Sequence, residues 1–131
     1  LSNTLANVND GTRLPGGERY MSGRALFPLT TRLAARLARA LSRPPLFSYC
    51  GGVSAGNVGA SLDAGLGPLT VATDILKPGG YLRLEPMARE AVAALKRGVP
   101  KAPDPDKLDA WPHPPCPCPS TGATTKKDAR V

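Results

Sequence analysis

Aromatic side chains are scarce in this chain of 131 residues, at 5%, and it has only three cysteines, one tryptophan and one histidine. Three cysteines, a small and odd number, exclude a disulfide scaffold and fit a reducing, cytoplasmic compartment. No stretch approaches the roughly 18 uninterrupted apolar residues of a membrane span. No basic segment leads into an apolar one, as a secretion signal would require. The chain opens on Leu1 rather than methionine, inside what reads as a structural element, and is expected to be a fragment. Its length allows one small domain or part of a larger one.

What the sequence has is proline, glycine and positive charge. Of the 15 prolines, eight lie in residues 98–131, where apolar periodicity is nearly absent, and the other seven fall mostly at element boundaries. Residues 1–97 are therefore read as the folded part and 98–131 as a linker or disordered tail. The 17 Lys and Arg against 10 Asp and Glu leave a net charge of +7. Most of that excess belongs to residues 1–97, with 12 basic and six acidic groups. Such a charge favours phosphates or nucleic acid without choosing between them.

Along the chain, Leu1–Leu5 reads as the end of a strand, and residues 7–23 as a long polar, glycine-rich loop. A helix is predicted from Ala25, with Pro28 in its first turn. Leu26, Leu29, Leu33, Leu37 and Leu41 recur along it at helical spacing. Arg32, Arg36, Arg39 and Arg43 recur beside them, and Pro44-Pro45 ends the helix. Leu46–Cys50 reads as a buried strand, followed by a helix over Ala55–Ala64 with Ser54 as N-cap and Gly65 at C′. Pro68–Thr73 reads as a second buried strand, and neither of the two strands alternates, as expected when both faces are covered. A last helix over Glu85–Arg97 turns Met87, Ala91 and Leu95 inward. The order strand, helix, strand, helix, strand, helix predicts an α/β fold with parallel crossovers. Three such units make the last three-eighths of a (β/α)8 TIM barrel, followed by a Pro-rich irregular tail.

Chemistry concentrates where strands run into helices. Gly51-Gly52 and Ala72-Thr73 follow the two central strands, and in such barrels neighbouring turns after the last strands form phosphate sites from backbone N–H groups. A glycine pair is also the ordinary turn solution, so alone it is a weak signal.

Asn3-Thr4, Tyr20–Leu29, Gly51–Val53 and Thr70–Tyr81 add context. Over residues 3–90 the chain resembles the carboxyl-terminal part of the flavin barrel of dihydroorotate dehydrogenase-like proteins. Within that superfamily it is most similar to the provisionally named selenate reductase subunit, a large iron–sulfur flavoprotein oxidoreductase related to the glutamate synthase small subunit. The resemblance implies that Asn3 and Thr4 face a small-molecule substrate. It also implies that Ser22 and Gly23 lie against FMN, and that Gly51, Gly52, Ala72 and Thr73 cradle its phosphate. Asp74 replaces a small or apolar residue of the family, and an acid beside a phosphate is electrostatically unfavourable. The parts matching strands 1–5 are absent, and with them the flavin-side lysine and the catalytic Cys or Ser base. No catalytic residue and no metal ligand is therefore assigned, and the chain alone is expected to be inactive. Iron–sulfur and FAD or NAD(P) sites belong to other parts of the implied parent. The expected partner is the rest of that polypeptide or its subunits, with no membrane and no nucleic acid.

Other features read more simply. Cys50 reads as a small buried hydrophobe. The arginine stripe could serve a basic module that binds RNA or an acidic partner, an alternative function for the chain. A solvated helix face explains it better, because no aromatic platform interleaves with it. His113, Cys116 and Cys118 offer three ligands where a tetrahedral zinc needs a fourth. Residues 111–124 also read as a locally frame-shifted stretch between more ordinary flanks.

Overall fold

The computed structural model describes residues 4–11, 13 and 15–111. Asn3, the His113–Cys118 cluster and positions 112–124 of the suspected frame shift lie outside them.

The segment expected to be one long loop is a hairpin. Strand β1 (Thr4–Val8) pairs antiparallel with β2 (Glu18–Ser22), setting Thr4 opposite Ser22 and Val8 opposite Glu18. The connection is closed by the Asn9 amide donating to the Gly17 carbonyl (3.0 Å) and the Asn9 side-chain amide donating to the Gly16 carbonyl (2.7 Å). The strands are nearly all exposed, so no buried face imposes the apolar alternation by which strands are recognised. Backbone pairing carries this hairpin, and β1 joins β2 rather than the parallel pair.

A 3-10 turn (Gly23–Leu26) leads into α1 (Phe27–Ala40), with Pro28 in the first turn as expected. The face it buries is the small one: Thr30, Thr31, Ala34, Ala35 and Ala38. Leu29, Leu33, Leu37 and Leu41 are instead 49%, 44%, 36% and 43% exposed, so of the expected apolar stripe only Leu26 is buried. Small side chains on this face let the segment around Pro105–Asp109 approach the helix closely. The two threonine hydroxyls avoid a desolvation cost by donating to the Leu26 and Phe27 carbonyls, each at 2.9 Å.

Strand β3 (Phe47–Cys50) runs parallel to β4 (Leu66–Thr70), and α2 (Val58–Asp63) crosses between them. Contrary to the expectation of two covered faces, β3 alternates. Phe47 and Tyr49 are buried, Ser48 is exposed and Cys50 half-buried. Strand β4 begins two residues before its predicted start and ends at Thr70, leaving Val71–Thr73 to the following turn. Asn57, not Ser54, precedes the first turn of α2. Ser54 starts the preceding turn, its carbonyl accepting from the Asn57 and Val58 amides at 3.1 and 3.0 Å. Gly65 terminates α2 at φ +79°, and a Cβ there would stand 2.3 Å from the Ala102 carbonyl oxygen.

Helix α3 (Leu84–Arg97) buries Met87 and Ala94, while Leu95, expected inside, is exposed. The chain beyond Gly98, expected to be a linker, stays on the domain as far as Trp111. Helix α4 (Pro105–Asp109) is capped by the Asp104 carboxylate, which accepts from the Asp106 and Lys107 amides. The Asp104 amide donates to the Ala64 carbonyl at 2.9 Å, Leu108 is buried, and Trp111 packs edge-on against Phe27 with centroids 4.8 Å apart. The core lies between α1, the β3–β4 pair, α2 and α4, around Phe27, Tyr49, Leu66 and Leu108.

Candidate functional site

The carboxyl ends of β3 and β4 open onto one cavity of about 190 Å³. Thr4, Ser22, Gly23, Gly51, Gly52, Ala72 and Thr73 all line it, together with Cys50, Val53 and Thr70. Every described residue singled out for substrate or cofactor thus meets in one place. Pairing of Thr4 with Ser22 in the hairpin delivers those two together. Cys50, expected in the core, is half-buried and lines the cavity wall.

Three loop tips are fitted so closely that glycine is required at two of them. A Cβ on Gly52 (φ +76°) would lie 2.6 Å from the Gly23 carbonyl oxygen and 2.8 Å from Arg24 Cα. One on Gly23 (φ +67°) would lie 2.9 Å from Thr73 Cγ2. Both positions combine a left-handed backbone with no room for a side chain.

The carbonyls of these turns are held from behind. The Tyr49 hydroxyl donates to the Gly51 carbonyl (3.0 Å) and lies 2.6 Å from Thr30 Oγ1. The Asn57 side-chain amide donates to the Gly52 carbonyl (2.9 Å), while its oxygen accepts from the Ser54 amide (2.7 Å). The Ala72 carbonyl accepts from the Ile75 and Leu76 amides at 3.0 and 3.3 Å. In a trans peptide, the N–H of the next residue points opposite to the carbonyl. The Gly52, Val53 and Thr73 N–H groups are therefore aimed away from those pinned carbonyls. Among the described residues, none of the three donates a loop hydrogen bond. Burial pushes the Tyr49 hydroxyl up to about 12, against the opposing pull of its contact with Thr30, so it remains a donor at neutral pH.

Among the described residues, no carboxylate lines the cavity. Asp74, expected to intrude on the anion site, is only 4% exposed, and its carboxylate is held by three cations. Arg24 donates to Oδ1 at 3.2 Å, Lys77 to the same oxygen at 3.1 Å, and Arg83 stands 3.7 Å from Oδ2. Burial alone would raise the Asp74 carboxyl. The Lys77 hydrogen bond and the charges of Arg24, Lys77 and Arg83 outweigh it, leaving the group below its ordinary value. The cluster carries three positive charges against one negative, so the surroundings of the cavity are positive.

Sequence reasoning missed Arg24, Lys77, Arg83, Tyr49 and Asn57. Asn57 could have been found as a side chain able to reach back to a glycine turn; the others depend on contacts distant in sequence. Of the arginine stripe, Arg39 pairs with Asp106 (2.9 Å) and Asp109 of α4. No group of three or more potential metal-ligating side chains occurs among the described residues. No helix among them is long and apolar enough to cross a membrane.

Comparison with known proteins agrees with the barrel likeness. Residues 1–112 match the family described as the N-terminal TIM-barrel domain of oxidoreductase YgfK. The provisionally named oxidoreductases YgfK of Escherichia coli strains K12 and O157:H7 are each 52% identical over 90 residues, which is 69% of this chain and 9% of theirs. No solved structure matches. The chain belongs to the family of the N-terminal TIM-barrel domain of oxidoreductase YgfK.

Proposed function

We propose that this chain supplies the phosphate-binding corner of an FMN-dependent oxidoreductase barrel. The observation that carries the reading is the set of pinned carbonyls, which leave the Gly52, Val53 and Thr73 N–H groups aimed away from them, on residues that line a cavity without a described carboxylate. At about 190 Å³ the cavity falls short of the roughly 300–1,000 Å³ of a site that encloses a whole small ligand, and suits an anionic head group. The hydroxyls of Ser22 and Thr73 add donors, and the cation cluster around Asp74 supplies a favourable field without entering the cavity.

FMN would supply hydride or electron exchange when bound. This chain's part is to fix the phosphate end, with Gly51, Gly52, Ala72 and Thr73 on one side and Ser22 and Gly23 on the other. Thr4, with Asn3, would orient a small substrate. A selenate reductase-type subunit is the finer reading, resting on the sequence runs Tyr20–Leu29 and Thr70–Tyr81. Because the chain spans 9% of its curated relatives, the remaining barrel strands, the catalytic base and any iron–sulfur or FAD/NAD(P) sites are assigned to the rest of such a polypeptide. The exposed leucines of α1 and the exposed Ser48 and Pro68 on β3–β4 support a partial barrel completed by that polypeptide. We place it in the cytoplasm, as free cysteine suggests.

The test is an amide-resolved NMR titration of the chain with FMN, riboflavin and inorganic phosphate. FMN and phosphate should shift the Gly52, Val53 and Thr73 amides together, and riboflavin, which lacks the phosphate, should not. Equal responses to FMN and riboflavin, or silence at these amides, would overturn the reading.

A further inference from the structure

Asp74 is the residue that the flavin resemblance makes hardest to understand, and its surroundings give it a task. It directly follows Thr73, which lines the cavity, and its partner Arg24 directly follows Gly23, which lines the same cavity. These two tips touch, since a Cβ on Gly23 would fall 2.9 Å from Thr73 Cγ2. Arg24 Cα in turn lies against Gly52. The Arg24–Asp74 contact therefore ties the turn after β2 to the turn after β4, one residue behind the cavity lining. Lys77 and Arg83 bind the same carboxylate from the loop after β4 and from the 3-10 turn Gly80–Arg83. Gly80 fixes that turn against the loop, because a Cβ there would stand 1.7 Å from the Ile75 carbonyl oxygen.

We propose that Asp74 is a positioning residue, a carboxylate clasp that holds the Gly23–Arg24 and Thr73 tips in register so that they close on a phosphate. The proposal rests on the phosphate reading of the cavity. It is not the obvious expectation for a carboxylate next to an anion site, which is repulsion. Two effects of removing the charge oppose each other. Loss of one negative charge near the cavity favours an anion, but Arg24, Lys77 and Arg83 are 60%, 39% and 39% exposed, so water screens most of that gain. Loss of the clasp releases both tips, and the worth of the donors beside them depends on position. The clasp should win.

The experiment compares FMN and riboflavin binding to the wild-type chain, Asp74→Asn and Asp74→Glu, with thermal unfolding in parallel. Asp74→Asn should weaken FMN binding about tenfold, as loss of charge-assisted hydrogen bonds does, with riboflavin binding unchanged. Asp74→Glu, which keeps the charge, should recover most of the FMN affinity. Tighter FMN binding by Asp74→Asn would make Asp74 a plain electrostatic liability and overturn the proposal. Parallel loss for both flavins, tracking the fall in melting temperature, would reduce Asp74 to general stability and overturn it as well. If the wild-type chain prefers neither flavin, the phosphate reading itself fails and takes the clasp with it. If it prefers FMN and Asp74→Asn does so equally, only the clasp fails.

Discussion

The domain has two ion-paired hubs, and they differ in what surrounds them. At the carboxyl end of the parallel strands, one nearly inaccessible carboxylate, Asp74, gathers three cations from three segments. On the flank where α4 crosses α1, one arginine, Arg39, gathers Asp106 and Asp109, all three at least 42% exposed. The same pairing chemistry has different worth in the two places. Breaking a buried pair strands a charge without water, whereas exposed pairs are screened and contribute little. The first hub sits beside the cavity and the second fastens a short helix to the outside.

Substitutions can break or sharpen this contrast. The largest effect is expected at the cavity's closest approach. Gly52→Ala should cost about 3 kcal/mol or more, since it adds a Cβ within 2.6 Å of backbone at a left-handed position. Urea denaturation would measure it, and an unchanged midpoint would mean that the loop tips are not packed together.

Asp74→Asn should follow, at about 2–3 kcal/mol, below a fully sealed pair because the three cations reach solvent. Its pH dependence has a definite direction. The folded carboxyl is held below its ordinary value, so its contribution is complete above the unfolded value of about 3.9 and is lost as pH falls through the folded one. Asp74→Asn should flatten that acid limb of the stability profile. An undiminished limb would show that another carboxylate carries it.

Tyr49→Phe should cost about 1–2 kcal/mol, because it removes the donor that holds the Gly51 carbonyl. Here the linkage runs the other way. The folded hydroxyl is raised to about 12 against about 10 unfolded, so its contribution is present below pH 10 and lost as pH climbs toward 12. Alkaline unfolding of the wild type but not of Tyr49→Phe in that window is the expected result.

The smallest effect belongs to Arg39→Ala, which should leave the unfolding midpoint within measurement error despite its two partners. A loss as large as that of Asp74→Asn would erase the distinction between the hubs.

How far the sequence disclosed this arrangement depended on whether a signal was local. Helices α1 and α3 were legible in periodicity and in Pro28, Pro44 and Gly98, and strand β3 in a short apolar run ending at Gly51-Gly52. That Gly51, Gly52, Ala72 and Thr73 share one cavity follows from where neighbouring parallel strands end, whereas Ser22 and Gly23 were expected there only from the family resemblance. The hairpin was not, since neither of its faces is buried enough to impose a pattern. The inward face of α1 was misread because Thr30, Ala34 and Ala35 contribute little hydrophobicity while permitting the close approach that packing needs. Helix α4 was hidden by its five-residue length and proline-rich surroundings. The direction of Asp74 could not be read at all, because adjacency to Thr73 says nothing of which way a side chain turns.

If the proposed donors are main-chain N–H groups, there is an evolutionary corollary. Chemistry at such a wall would be adjusted hardly at all by exchanging one side chain for another, because the groups that would face an anion belong to every amino acid alike. A saturation library across the three tips should therefore split into two populations. Ala72 should accept many replacements, and Gly23 and Gly52 almost none, with few variants of graded fitness between.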